Sequence, residues 1–228
     1  QRRALKPHTS EWNYVIEKLN LFWSPEQIVN RYEMEYQKRL TSFATIYRYI
    51  YRGELPKKKK KIHLRRRGKF QLPRNSCYNT IQPDRIIPEW IPPIKNRSRI
   101  GDWEGDTVYG AVGKGLVVTL ADRKTRYLLA GKLQSRNALL TEKVVVNLLK
   151  DKPVKSLSLD NGSEFANFRE IEKQISSPIY FAEPHKPWQR GTNENTNDIL
   201  RFFFPKGTNF HEVSDEELEK VVYLINTR

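Results

Sequence analysis

Three acidic residues in the second half of the chain have types and positions that suit metal-ion chemistry. Asp106 lies within a β-prone run, Asp160 ends another in "LSLDNGSEF", and Glu194 begins a predicted helix. The carboxyl end of a parallel strand faces the usual ligand crevice of an α/β sheet, so the aspartates could meet there. Two strand-borne aspartates and a helix-borne glutamate would bind two divalent cations, which phosphoryl transfer on DNA needs. The competing interpretation of Asp160 is a turn residue, because Asn161 and Gly162 follow it.

The metal that these ligands favour is magnesium. Carboxylate oxygens are hard ligands, and substrate phosphate and water complete the shell around Mg²⁺. We therefore expect two Mg²⁺ ions, with Mn²⁺ as a substitute. A single cysteine, Cys77, and four scattered histidines argue against a zinc cluster or a disulfide framework.

Four further acidic residues lie near the candidates and receive structural interpretations. Asp102 and Glu104 alternate with Asp106, so an extended strand directs all three side chains to one face. We interpret Asp102 and Glu104 as polar neighbours of Asp106 or as strand-edge partners of arginine or lysine. Asp122, in "ADRK", is interpreted as a turn residue. Glu183 lies near the Glu194 loop and is given no catalytic role.

The elements that must position these acids begin near residue 100. Three β-prone runs come first, helix and strand then alternate, and two helices follow. The predicted strands are "GDWEGDTVYG", "KGLVVTLAD", "TRYLLAGKL", "VKSLSLD" and "IYFAE", and the predicted helices are 137–150, "SEFANFREIEKQI", "NENTNDILRFFF" and "SDEELEKVVYLIN". This order predicts an α/β fold in which an antiparallel meander leads into parallel strands.

Residues 1–54 are predicted to be helical. "SEWNYVIEKLNL" has one apolar face, "WSPEQIVNRYEMEY" begins with a capping box, and "TSFATIYRYIYRG" ends on a glycine. The last two resemble a helix-turn-helix, and the 41–52 helix would contact DNA. Its candidate contacts are Thr41, Ser42, Thr45, Arg48 and Arg52. The alternative is a plain three-helix bundle.

The positive charge is concentrated in the first part of the chain. The net charge is +15, and residues 1–70 hold 18 basic against 6 acidic residues, a balance of +12. Nucleic acid is therefore the expected partner. Residues 55–70 hold nine Lys or Arg residues in a run that would lie on DNA phosphates. The candidates there are Lys57, Lys58, Lys59, Lys60, Lys61, Arg65, Arg66 and Arg67; a solvated linker or a localisation signal is the alternative.

The domain organisation follows from these patterns. Residues 1–54 are expected to form the helix-turn-helix domain, 55–99 a basic and Pro-rich linker, and 100–228 the catalytic domain. No apolar run approaches the roughly 20 residues of a membrane span, so we expect a cytoplasmic protein without a membrane partner. The first and last residues suggest a fragment cut at both ends.

Basic residues near Glu194 are further candidate DNA contacts. Lys186 and Arg190 lie in "HKPWQRG", a stiff loop that either clamps DNA or only fixes the following helix. Arg201 lies two helical turns beyond Glu194 and is predicted to contact phosphate. Asp198 is given no role.

Three motifs together resemble a known family. "GDWEGDTV", "LSLDNGSEF" and "HKPWQRGTNENTNDILRFFFPKGTNF" closely resemble the DDE transposases of bacterial insertion sequences, specifically the "IS thirty" family. That family shares a ribonuclease H-like fold with retroviral integrases. The resemblance covers residues 100–228 tightly and the helical part more loosely. The 33 residues between Asp160 and Glu194 agree with the family's spacing.

The resemblance implies the chemistry and the partners. It places the family's catalytic and metal-binding acids at Asp106, Asp160 and Glu194. It implies Mg²⁺-dependent cleavage at transposon ends, followed by attack of the freed 3′-hydroxyl on target DNA. The implied partners are terminal inverted-repeat DNA, target DNA and further copies of the chain, as a homodimer or larger assembly on the bacterial nucleoid. The family's additional N-terminal helix-turn-helix and its closing segment are missing from this sequence.

Two other functions remain open at this point. The first is a DNA-binding regulator whose ribonuclease H-like part is a scaffold, although a scaffold has no reason to keep three carboxylates uncompensated by Lys or Arg. The second is a structure-selective nuclease of the same fold. A nuclease assay with and without Mg²⁺ separates the regulator from the enzymes.

Overall fold

The computed structural model describes residues 10–54, 81, 83–87, 90–183 and 187–228. The described residues fall into two compact units, one containing residues 10–54 and the other residues 81–226. None of the helices in these ranges is long and apolar enough to cross a bilayer.

The first unit consists of three helices, as the sequence predicts. They are α1 (Ser10–Asn20), α2 (Pro25–Tyr36) and α3 (Phe43–Arg52). Ser24 closes the predicted capping box with Gln27, and Gly53 ends α3 in the left-handed region at φ 73°. A cluster of buried residues from all three helices forms the core, among them Trp12, Val15, Leu19, Ile28, Ile46 and Ile50.

The second unit is built on a five-stranded mixed sheet. The strands are β1 (Asp102–Tyr109), β2 (Leu116–Asp122), β3 (Leu128–Leu133), β4 (Ser156–Leu159) and β5 (Ile179–Phe181). Their order is β3-β2-β1-β4-β5. The first three strands are antiparallel, whereas β1, β4 and β5 run parallel. This topology confirms the predicted α/β class, in which an antiparallel meander leads into parallel strands.

Helices cover both faces of the sheet. They are α5 (Ala138–Leu149), α6 (Phe168–Ile175), α7 (Gly191–Phe203) and α8 (Asp215–Asn226). One core joins Trp103 and Leu157 to α5 and α6, and the other joins Val108 and Val117 to α7 and α8. Successive strand residues point to opposite faces, so both sides of β1 are buried. Each face of the central strand therefore has its own helical layer.

The region after β4 differs from the prediction. The sequence predicts one helix over residues 163–175, but a 3₁₀ turn at Ser163–Phe165 precedes α6. Glu164 is buried within this turn, where its carboxylate faces β1. The polar contacts of Glu164 therefore interrupt the helical pattern.

Part of the segment expected to be a linker packs on the sheet. Ile86 forms a parallel bridge with Phe181, and Arg85 pairs with Glu172 at 2.8 Å. A short helix, α4 (Pro92–Lys95), buries Ile94 completely. The described residues between 83 and 99 thus pack with the second unit.

Candidate active site

Asp106 and Asp160 occupy equivalent positions on neighbouring strands. The parallel register of β1 and β4 pairs Glu104 with Ser158, and the same offset continued by two residues sets Asp106 beside Asp160. Adjacent strands lie about 4.8 Å apart. Asp160 follows the last residue of β4 directly. The two aspartates therefore lie on neighbouring strands, each two residues past the last paired residues of β1 and β4.

Asp106 is held by three contacts. Its Oδ1 accepts a hydrogen bond from the Thr107 backbone N–H at 2.9 Å, and its Oδ2 accepts one from Asn197 Nδ2 at 2.7 Å. Arg190 Nη1 lies 3.6 Å from Oδ1. Asn197 belongs to α7, so this carboxylate links the central strand to that helix.

Asp160 lies in a less favourable place for a charge. Its Oδ1 accepts a hydrogen bond from the Gly162 backbone N–H at 3.0 Å, and Arg190 Nη2 lies 3.6 Å from its Oδ2. Burial raises the pKa of Asp160 to about 6, although Arg190 acts in the opposite direction, and neighbouring Asp106 adds to the rise. Two close carboxylates repel unless a cation separates them.

Arg190 supplies that cation in the structure. Its guanidinium reaches both aspartates and also donates to the Gly105 carbonyl at 3.3 Å. The expectation that the acids are uncompensated by Lys or Arg is therefore wrong for Asp106 and Asp160. The sequence places Arg190 in the loop before α7 but does not show that the loop folds back onto both strands.

Glu194 is not brought into contact with the aspartates. It lies exposed in the first turn of α7, one turn before Asn197, which bonds Asp106. Residues three apart share a helix face, so Glu194 lies on the side of α7 that approaches Asp106. Within the described ranges, no three His, Cys, Asp or Glu side chains are close enough to hold a metal ion.

The start of α7 is fixed by Glu104. The Glu104 carboxylate is fully buried, accepts the Asn193 backbone N–H at 3.0 Å and forms an ion pair with Arg123. Arg123 is also buried and stacks on Trp90, with its guanidinium carbon 4.0 Å from the ring centroid. The interpretation of Glu104 as an arginine partner is confirmed.

The other neighbouring acids also have structural partners. Asp102 pairs with Arg99 at 2.9 Å, as expected. Asp122 Oδ1 accepts the Thr125 N–H at 2.7 Å within the predicted turn. Glu183 accepts a hydrogen bond from Gln189 Nε2 at 2.7 Å.

Glu164 was not identified from the sequence. Its side chain is 2% exposed, and its carboxylate accepts hydrogen bonds from Thr107 Oγ1 at 2.6 Å, Tyr109 OH at 2.7 Å and Arg136 Nε at 2.7 Å. Burial alone would raise the pKa of Glu164, but hydrogen bonds led by that from Thr107 outweigh burial and hold the pKa below its usual value. The available signal was its position in "DNGSEF", four residues after Asp160.

The predicted DNA contacts on α3 lie in different environments. Arg48 and Arg52 are exposed, and Thr41 and Thr45 are half-buried. Ser42 caps the helix, because its Oγ accepts the Thr45 backbone N–H at 3.2 Å. The structure thus gives Ser42 a role in α3 itself.

Of the remaining predicted DNA contacts, two lie within the described residues and the others lie outside them. Arg201 donates from Nη2 to the Tyr109 carbonyl at 2.6 Å, which places it at the end of β1. Arg190 lies between the aspartates. The predictions for Lys57 to Lys61, Arg65 to Arg67 and Lys186 lie outside the described residues.

Comparison with known proteins finds relatives of one kind along most of the chain. No protein-family model matches. The chain is 34% identical over 219 residues to the transposase for insertion sequence element IS4351 of Bacteroides fragilis, covering 94% of this chain and 67% of that protein. It is 33% identical over 236 residues to the transposase for IS1086 of Cupriavidus metallidurans, covering 98% and 69%.

A third relative has a longer chain. Transposase InsI for IS30A of Escherichia coli (strain K12) is 35% identical over 228 residues, covering 94% of this chain and 59% of that protein. The chain thus spans between 59 and 69% of the length of these three relatives.

Two solved structures share part of the architecture. A simian T-cell lymphotropic virus intasome in complex with PP2A regulatory subunit B56 gamma matches at 16% identity and TM-score 0.48, covering 70% of this chain and 54% of that chain. The catalytic core domain of BIV integrase matches at 16% identity and TM-score 0.44, covering 56% and 84%.

Proposed function

The chain belongs to the IS30-type family of insertion-sequence DDE transposases, and we propose on that premise that it cleaves DNA at transposon ends and joins those ends to target DNA. The observation that supports this proposal is that Asp106, within β1, and Asp160, directly after β4, are both reached by the guanidinium of Arg190. Both reactions are displacements at phosphorus by an oxygen nucleophile, so a single site serves both.

The donor set fits divalent metal ions. Asp106 and Asp160 offer hard oxygen ligands on adjacent strands, and the pair already attracts a positive group, Arg190, in the structure. Glu194 would supply a third carboxylate from the exposed first turn of α7. When bound, two Mg²⁺ ions activate the attacking oxygen and stabilise the leaving oxygen, and Mn²⁺ substitutes for them.

The residues around the pair orient the ligands. Asn197 and the Thr107 N–H fix the Asp106 carboxylate, and the Gly162 N–H fixes that of Asp160. Arg190 neutralises both carboxylates before cations bind. Glu104 holds the start of α7, the helix that carries Glu194. Ligands held on packed elements need little rearrangement when DNA arrives.

The DNA partners follow from charge and family. Residues 1–70 carry a balance of +12, which suits a polyanion. We assign the transposon end to α3, through exposed Arg48 and Arg52, and to the basic run. Joining two ends requires two active sites, so the active form is a homodimer or a larger assembly on DNA, at the nucleoid in the cytoplasm.

The first test replaces each acid separately. Asp106→Ala, Asp160→Ala and Glu194→Ala are each expected to lower Mg²⁺-dependent cleavage of transposon-end DNA by at least about 100-fold, because the ions would lose a ligand. DNA retention in a gel-shift assay should stay within about twofold of the wild type. Asp151→Ala, at an exposed turn after α5, is the matched control. A variant that keeps wild-type cleavage removes its residue from the site.

A DNA-binding regulator is the second candidate, and Arg190 is the observation that favours it. A guanidinium that neutralises both aspartates makes the pair stable without metal. A regulator would bind DNA and show no cleavage at any Mg²⁺ or Mn²⁺ concentration. A structure-selective nuclease would instead cut branched DNA without joining strands.

A further inference from the structure

The spacing of Asp106 and Asp160 is not fixed by the sheet alone. Paired residues between β1 and β4 extend only from Asp102 with Ser156 to Glu104 with Ser158. Both aspartates lie beyond this ladder, Asp106 by two residues and Asp160 just after β4 ends. Another contact must hold the loop after β4 against β1.

Glu164 makes that contact on the opposite side of β1 from Asp106. Thr107 and Tyr109 both donate hydrogen bonds to Glu164, at 2.6 and 2.7 Å, and their side chains alternate with that of Asp106 along the strand. Arg136, between β3 and α5, donates a third at 2.7 Å. A buried carboxylate with three donors is strongly held, because charge-assisted hydrogen bonds are among the strongest in proteins.

Gly162 connects Glu164 to Asp160. Its N–H bonds the Asp160 carboxylate at 3.0 Å. A Cβ at Gly162 would lie 2.7 Å from the Glu164 Cδ and Oε2, so a larger residue there would displace the Glu164 carboxylate from its partners. The glycine thus leaves room for the Glu164 carboxylate beside the backbone that holds Asp160.

We propose that Glu164 is a positioning residue that sets Asp160 against Asp106 by fastening the loop after β4 to β1. Asp160, Gly162 and Glu164 then act together. Asp160 is the metal ligand, Gly162 leaves room for the Glu164 carboxylate, and Glu164 holds the loop after β4 on β1. Glu164 has no ligand role itself, since its oxygens are occupied by Thr107, Tyr109 and Arg136. This inference rests on the proposed metal-dependent function.

The test measures metal binding directly in the full 228-residue chain. Glu164→Gln keeps the side-chain volume but replaces one accepting oxygen with an amide donor, so one partner loses its acceptor. Mn²⁺ binding, followed by electron paramagnetic resonance of the free ion, should weaken about tenfold, the lower end for residues that orient metal ligands. The Mn²⁺ concentration for half-maximal cleavage should rise by the same factor, while the rate at saturating Mn²⁺ stays within about threefold.

Two variants keep the test decisive. Tyr109→Phe removes one hydrogen bond and should weaken Mn²⁺ binding about threefold, a smaller effect of the same kind. This variant replaces Glu164→Gln if the latter fails to fold. Glu170→Gln, on the exposed side of α6, should leave Mn²⁺ binding unchanged.

The possible outcomes separate this inference from the proposed function. Wild-type Mn²⁺ affinity in folded Glu164→Gln or Tyr109→Phe overturns the positioning role, even if their melting temperatures fall. Mn²⁺ binding by the wild type without any DNA cleavage contradicts the proposed function, while the affinities still decide the role of Glu164. A wild-type chain that binds no Mn²⁺ overturns both.

Discussion

At the scale of single residues, the site is a pair of carboxylates with a built-in counter-ion. Arg190 lies 3.6 Å from one oxygen of each aspartate. Removing the guanidinium would leave two adjacent negative charges in a partly buried place, and such repulsion opposes folding. The charge of Arg190 therefore stabilises the metal-free chain and competes with cations for the aspartates.

Arg190→Gln is expected to lower the stability of the metal-free chain by about 1–3 kcal/mol, as for other charged hydrogen-bonding groups. Saturating Mg²⁺ should reduce the difference, because the ions replace the lost charge. Thermal denaturation with and without Mg²⁺ measures both effects. Arg169→Gln, which breaks an exposed ion pair with Asp84, is the control and should show a smaller loss of stability and no Mg²⁺ dependence.

Glu164 is expected to make the stability of the folded chain depend on pH in a defined direction. Its pKa in the folded chain lies below the ordinary value of 4.5, because hydrogen bonds outweigh burial. The unfolded chain therefore takes up the proton first, so stability from Glu164 is present above pH 4.5 and is lost as the pH falls. Urea unfolding below pH 4.5 should show a shallower loss of stability for Glu164→Gln than for the wild type. If stability falls equally steeply with pH in the two proteins, the Glu164 carboxylate has an ordinary pKa in the folded chain.

The residues differ in how well the sequence reveals them. Asp106 and Asp160 were predictable because one lies within a β-prone run and the other ends one, each in a specific motif. Glu164 was not, because its role depends on space above Gly162 and on donors from a strand more than 50 residues away. Arg190 was assigned to DNA because a loop sequence does not show which way its side chains turn.

At the scale of elements, the start of α7 depends on a buried ion pair. Glu104 and Arg123 are both nearly inaccessible, and Glu104 also accepts the Asn193 N–H. This pair joins β1, β2 and the helix that carries Glu194.

Glu104→Gln is expected to destabilise the chain by about 3–5 kcal/mol, because the Arg123 charge would remain buried without a partner. The double variant Glu104→Gln with Arg123→Met should recover part of this loss, since it removes the second charge as well. Chemical denaturation of the two single variants and the double variant measures the coupling. Additive losses would show that the two side chains are not coupled.

The elements themselves were largely predictable. Local signals such as the Ser24 capping box and Gly53 mark helix ends through nearest-neighbour chemistry, and the structure confirms them. The 3₁₀ turn before α6 and the packing of Ile94 depend on contacts between distant segments. Such tertiary contacts override local propensity.

At the scale of the whole molecule, charge is divided between the two parts of the chain. The excess lies within residues 1–70, and the other 158 residues have a balance of only +3. Non-specific DNA affinity should therefore come from the first part through counterion release. The domain bounds at residues 54 and 99 and the DNA contacts remain predictions.

Replacing Lys57 to Lys61 with glutamine is expected to reduce the salt dependence of DNA binding. Each phosphate contact contributes about 0.9 to the slope of log affinity against log salt, so the slope should fall by up to about 4.5. Fluorescence anisotropy with duplex DNA across a KCl series measures it. Glutamine at the exposed Lys150, Lys152 and Lys155 should leave the slope unchanged, and an unchanged slope for the first set would exclude the basic run from DNA.

The position of Asp106 on the central strand has one more consequence. Strands on both sides and helices on both faces immobilise β1, whereas Asp160 follows a short strand and Glu194 lies in the first turn of a helix. Asp106 is therefore the fixed reference of the three acids, and the positions of Asp160 and Glu194 relative to it depend on the hydrogen bonds of Glu164 and Glu104. Any change in ionic radius or in phosphate geometry between two successive reactions would have to be accommodated through those two contacts, because the central strand itself is enclosed on every side.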